Sequence, residues 1–125
     1  MSRIHRSKAV FISDCEGPIS KNDNAFEISS AYIPGGAQFY NVVSSYDDVL
    51  AYLVRRPGYR SGNTLKLIAP FLKAYDVTND MIVEYSSRNM RLLPGAVEML
   101  QRLKSLLPSY IVSTSYEQYL YSLCT

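Results

Sequence analysis

The chain has 125 residues, 47% of them apolar and 19% charged, with a formal net charge of +2. This is ordinary composition for one globular domain and argues against a disordered chain. So small a charge excess, with no concentrated basic run, argues against a nucleic-acid or membrane-surface partner.

The N-terminal segment Met1-Ser2-Arg3-Ile4-His5-Arg6 is basic, but the apolar run after it is short and is broken by Asp14, so it is neither a signal segment nor a membrane span. Two cysteines, Cys15 and Cys124, give no disulfide framework and no paired metal-ligand spacing, which points to a reducing cytoplasm.

The first element is the run Val10-Phe11-Ile12-Ser13, which reads as a buried strand running into Asp14 and Glu16 before Gly17-Pro18 turns the chain. Turn-formers follow at Ser20-Lys21-Asn22-Asp23-Asn24, and Pro34-Gly35-Gly36 reads as a loop between helices. A helix is expected from Ser45 as N-cap, with Asp47 and Asp48 in the first turn and Arg55 and Arg56 in the last, closed by Pro57-Gly58. Thr64 to Tyr75 predicts another helix, with Leu65, Ile68, Ala69 and Leu72 at helical spacing and Pro70 kinking it or moving its start. Thr78 caps a third helix through Met81, Ile82 and Tyr85.

From Leu92 to Leu107 the apolar residues fall on one helical face, with Pro94 suited to the first helical position and Pro108 ending the run. Ser109-Tyr110-Ile111-Val112-Ser113-Thr114 is a second short strand, and Ser115 to Leu120 starts a further helix.

Strand, helical insertion, helix and strand compose one right-handed parallel crossover, with both strands ending on the same edge. Ligands of open α/β sheets bind beyond the carboxyl ends of the strands. Asp14, Glu16 and Ser113 would converge there. On the residues alone, the plain alternatives are two solvated carboxylates at a turn and a strand-end hydroxyl. Cys15, on the opposite side of the strand from its acidic neighbours, reads as packing rather than catalysis. Arg55, Arg56 and Arg60 read as the charged end of a helix or, less simply, as substrate contacts. The 11 tyrosines read as packing surface. Gly58-Tyr59-Arg60-Ser61-Gly62 lacks the Gly-Lys-Ser/Thr of a phosphate-binding P-loop.

The two strand ends, "VFISDCEGP" and "YIVSTS", resemble the first and second motifs of the haloacid dehalogenase (HAD) superfamily. They are most similar to archaeal HAD-like proteins with an Asp-x-Glu-Gly-Pro first motif, among them energy-converting hydrogenase A subunit R. The stretches "SYDDVLAYLVRRPGY", "TLKLIAPFL" and "VSTSYEQYL" share that likeness, so it spans nearly the whole chain.

The resemblance implies an α/β fold: an incomplete Rossmannoid parallel-sheet core from residues 1–19 and 92–125, with residues 20–91 inserted as a helical cap. It implies that Asp14 is a nucleophile forming an aspartyl-phosphate and that Glu16, where the family usually has Asp, transfers protons. It further implies that Asp14 and Glu16 help hold Mg²⁺, and that Ser113, Thr114 and Gly17 contact phosphate. The substrate would be a small phosphorylated metabolite, with no nucleic acid or membrane involved. The family's third-motif Lys and fourth-motif acidic pair would have to come from a missing C-terminal segment or a partner protein, since 12 residues follow Ser113. A non-catalytic, hydrogenase-associated accessory subunit that keeps the fold is the alternative.

Overall fold

The computed structural model describes residues 9–124. The order of elements is β1 (Phe11–Ser13), α1 (Asn24–Tyr32), α2 (Gly36–Asp48) running into a π-helical turn (Val49–Leu53), α3 (Thr64–Ala74), α4 (Asn79–Asn89), α5 (Ala96–Leu106), β2 (Ser109–Ile111) and α6 (Glu117–Cys124). The fold is mixed α/β and mostly helical, with one two-stranded parallel sheet. No helix among the described residues is long and apolar enough to cross a membrane.

Chain contacts divide the described residues into two units, one of residues 9–21 and 91–113, the other of residues 22–90 and 114–124. The strand-bearing unit is built on the parallel register Phe11↔Ser109, Ile12↔Tyr110 and Ser13↔Ile111. Its interior is formed by Cys15, Ile19 and Ala96. Residues 15–20 fold back on themselves: the N–H groups of Ile19 and Ser20 both donate to Cys15 O at 3.0 Å, and the Gly17 N–H donates to Ser20 O at 2.8 Å. This loop is fastened to the chain ahead of α5 by Leu93 N–H to Ile19 O (2.9 Å) and Lys21 N–H to Arg91 O (2.8 Å).

The helical unit has its own core of Ile28, Ile33, Ile68, Leu72 and Ile82, packed by Tyr32, Phe39, Val43, Tyr85 and Tyr116. Local chemistry sets the element boundaries. The Asp23 side chain accepts from the Phe26 N–H at the start of α1, and Thr78 accepts from the Met81 N–H at the start of α4, as expected for that threonine. Buried polar groups join the two helices. The Asn22 side chain donates to Glu27 and to the Asn89 carbonyl (2.9 Å), and Asn24 donates to the Ser86 hydroxyl (3.0 Å).

Several boundaries differ from the expectation. Ser45 is no N-cap: α2 starts nine residues earlier, at Gly36, because the chain crosses so close to α1 that a Cβ at Gly36 would overlap the Ser29 carbonyl. Asp47 accordingly lies inside the helix and is buried, instead of serving the first-turn dipole. Pro70 sits within α3 without ending it. Ala96 rather than Pro94 is the first residue of α5, with Gly95 at its N-cap. Residues 114–124, expected in the strand-bearing core, group with the helices through α6 on α4.

Candidate functional site

Because β1 and β2 are parallel and adjacent, their carboxyl ends open on one edge of the sheet. Pairing persists one step past the strands, where the Val112 N–H donates to Ser13 O at 2.9 Å. Asp14 and Ser113 therefore follow the last paired residues of the two strands at that edge. Asp14 is exposed, and its Oδ1 accepts the Cys15 N–H at 2.6 Å, which orients the carboxylate at the strand end. The Ser13 hydroxyl donates to the Asp14 carbonyl at 2.8 Å. Cys15 is fully buried, as packing requires.

Glu16 is half-buried and bridges to Ser20. Gly17 follows at φ +100°, a conformation that residues with a Cβ rarely adopt, and nothing lies within 4 Å of where a Cβ would be. The backbone angle, not a lack of space, requires the glycine.

Asp14, Glu16, Gly17 and Ser113 thus all belong to the strand-bearing unit, at the loop and strand ends that leave one sheet edge. Thr114 is exposed and groups with the helical unit. Among the described residues, no cluster of three or more His, Cys, Asp or Glu could hold a metal ion. The Asp14 carboxylate and the Glu16 backbone carbonyl are oxygen donors of the kind Mg²⁺ prefers, and this ion commonly takes only one or two carboxylates, completing its shell with water and phosphate. The pair fits the beginning of such a site. A second acidic pair is not among these residues.

The helical unit contains a polar node that the sequence did not announce. Asp47 accepts hydrogen bonds from the Tyr59 hydroxyl, from the Gly62 N–H (2.9 Å) and from the Thr64 hydroxyl (3.2 Å). Burial pushes its carboxyl up, but the hydrogen bonds from Tyr59, Gly62, Thr64 and Asn63 outweigh that effect and hold it below the ordinary carboxylate range. The same contact with Asp47 pushes the Tyr59 phenol up to about 12. This node anchors the segment from Val54 to Asn63, which carries the exposed Arg55, Arg56 and Arg60. Arg55 is held at φ +50°, a strained angle for a residue other than glycine, directly after the π-helical turn. The signal in the sequence was the pair Asp47 and Tyr59 on either side of Pro57-Gly58, which the helix-end reading absorbed.

No protein-family profile matches the chain, and no curated protein matches it. The protein is similar to gene product AF1437 from Archaeoglobus fulgidus, whose solved structure superposes with a TM-score of 0.86 at 38% sequence identity. The match covers 92% of this chain but 36% of AF1437, so this chain spans little more than a third of the protein it resembles.

Proposed function

We propose that this chain carries the first half of a HAD-type, Mg²⁺-dependent phosphohydrolase site acting on a small phosphorylated metabolite in the cytoplasm. The observation that supports the reading is the parallel pairing of two strands whose carboxyl ends release Asp14 and Ser113 at the same edge, with the Glu16-Gly17 loop folded back beside the first. In this reading the exposed Asp14 carboxylate attacks phosphorus, and the phosphate–leaving-group bond breaks as the aspartyl-phosphate forms. Glu16 protonates the departing oxygen and then takes a proton from the water that hydrolyses the intermediate. Ser113 donates to a phosphoryl oxygen, and Thr114 stands next to it in the chain as a second hydroxyl. Mg²⁺, when bound by Asp14 and Glu16, would neutralise phosphate charge.

The Lys and second acidic pair of a complete HAD site are not among these residues, so the chain by itself is expected to lack turnover. The second reading, a non-catalytic accessory subunit, is favoured by the solvent-facing apolar side of the sheet, which is a feature of assembly rather than of chemistry.

Acid-quenched intact-protein mass spectrometry after exposure to acetyl phosphate and Mg²⁺ separates the two, with the rest of AF1437 both absent and added. The phosphohydrolase reading expects a single phosphoryl adduct that is missing in Asp14→Asn. In Glu16→Gln it should persist, because loss of acid–base help slows its hydrolysis by about 10²- to 10⁴-fold. No adduct under either condition establishes the accessory reading.

A further inference from the structure

α2 and α3 run antiparallel. The rings of Phe39 and Phe71 meet at one end with centroids 4.6 Å apart, and at the other end the Thr64 hydroxyl donates to the Asp47 carboxylate. Residues turn by about 100° per step around a helix. On α2 this puts Tyr40, which meets the Phe26 ring of α1, on one flank of the buried side, and Phe39, which meets α3, on the other. Val42 and Tyr46 follow on the flank of Phe39 but turned outward, and Val49 continues their line at the start of the π-helical turn. They are 63%, 51% and 39% exposed. On α3, Ile68 and Leu72 are buried, while Leu67, Phe71 and Ala74 form the outward flank, with Phe71 45% exposed. The two outward flanks border one seam, so the helical unit carries an apolar face two helices wide.

Charge on this face is divided between its ends. Where α2 finishes and α3 begins, Arg55, Arg56, Arg60 and Lys66 are all exposed, and the Asp47 node holds the segment that bears the three arginines. At the opposite end α3 runs out into exposed Asp76, with exposed Asp80 in the first turn of α4. Asp48 and Lys73 stand about 200° around their helices from Tyr46 and Phe71, and so belong to other sides. Exposed apolar patches rimmed by polar residues mark sites of association. An apolar middle with a basic end and an acidic end has a property that a face of single sign lacks. Turned by half a revolution about an axis through its centre, it is complementary to itself.

We propose that the α2–α3 face is the interface of a two-fold symmetric homodimer, in which α2 and α3 of both copies pack as four helices. The axis passes near the middle of the seam, where Val42 of one copy meets Val42 of the other. Arg55 and Arg56 of each copy then lie against Asp76 and Asp80 of the other. The charge pattern is the reason for choosing a second copy over a foreign helix: a foreign helix would have to carry this pattern reversed, and a second copy already does. The inference is independent of phosphoryl transfer, since it uses the helical unit alone and its test measures association rather than labelling.

Sedimentation velocity of this chain over a range of concentrations is expected to show a monomer–dimer equilibrium. Val42→Lys replaces a residue already 63% exposed, so the circular dichroism should be unchanged while two like charges meet on the axis and the dimer weakens about tenfold or more. Two double variants test the ends, one with Arg55→Glu and Arg56→Glu, the other with Asp76→Lys and Asp80→Lys. Each alone should dimerise more weakly than the parent chain. Mixed, they should associate with each other, because every reversed end then faces its opposite. That rescue on mixing belongs to a two-fold interface and to no other occupant. A chain that stays monomeric at every concentration would overturn the proposal, as would a dimer indifferent to Val42→Lys and lost instead on Ile12→Lys in β1. Binding of the part of AF1437 outside the match, added as a separate polypeptide and abolished by Val42→Lys while no dimer forms, would assign the face to that polypeptide and overturn it too.

Discussion

The Tyr59 hydroxyl donates to the Asp47 carboxylate across the Pro57-Gly58 turn, tying the inside of α2 to the loop that follows the π-helical turn. Hydrogen bonds to a charged partner contribute about 1.5–3 kcal/mol each, and leaving a buried polar group without its partner costs more than a bond made to water. Tyr59→Phe is therefore expected to destabilise the helical unit, by less than removal of the carboxylate does. Asp47→Asn should cost about 2–4 kcal/mol, because an amide placed there turns a donor toward the Gly62 N–H or the Thr64 hydroxyl. Urea unfolding of the two variants and their double mutant measures this, and a double mutant no worse than Asp47→Asn alone is expected for a shared contact.

The same node makes stability depend on acid. The carboxyl of Asp47 is held below the ordinary aspartate value of 3.8 in the folded protein, so its contribution is fully present above that value and is lost as the pH falls through the lower folded one. The acid limb of the stability curve should flatten in Asp47→Asn, as read by thermal unfolding from pH 5 downward.

At the alkaline end the sign reverses. The phenols of Tyr59 and Tyr116 are pushed up to about 12, the first by its bond to Asp47 and the second by burial. Their contribution is present below pH 10 and is lost between pH 10 and pH 12. Spectrophotometric titration should show a late phenolate component that shrinks in Tyr59→Phe.

Two glycines are required for different reasons, and substitution separates them. Gly36→Ala puts a methyl group into the Ser29 carbonyl and should cost about 3 kcal/mol or more through displacement of α2 from α1. Gly17→Ala meets open space but must hold φ at +100°, and should cost about 1–2 kcal/mol. Unfolding followed by hydrogen exchange would localise the first loss to the helical unit and the second to the loop at residues 15–20.

The sequence disclosed most where local chemistry decides structure. The strand running into Asp14, the Thr78 cap and the helix before Pro108 each depend on neighbours within a few residues, and each was legible, although the strand, expected buried, leaves Val10 and Ile12 exposed. What it concealed depends on approach between distant segments. Ser45 and the acidic pair after it have every mark of a helix start, yet the start lies at Gly36, because packing against Ser29 rather than capping preference fixes it. Asp47 looked like a surface charge because its partners, Tyr59, Gly62 and Thr64, come from 12 to 17 residues further on. At the candidate site, Asp14 and Ser113 could be read from their strands, whereas the grouping of Thr114 with the helices could not, since it depends on α6 packing on α4.

The register that joins Phe11 to Ser109 has a temporal consequence. During synthesis β1 leaves the ribosome long before β2 exists, and at about 5–20 residues per second the interval is on the order of 5–20 s. Helices, which close only short loops, form in about microseconds. Helices α1 to α4 have time to form while Val10, Phe11 and Ile12 wait for β2. The first strand made thus waits longer for its partner than any of the four helices that follow it, and for those seconds its uncharged residues are exposed to misassociation.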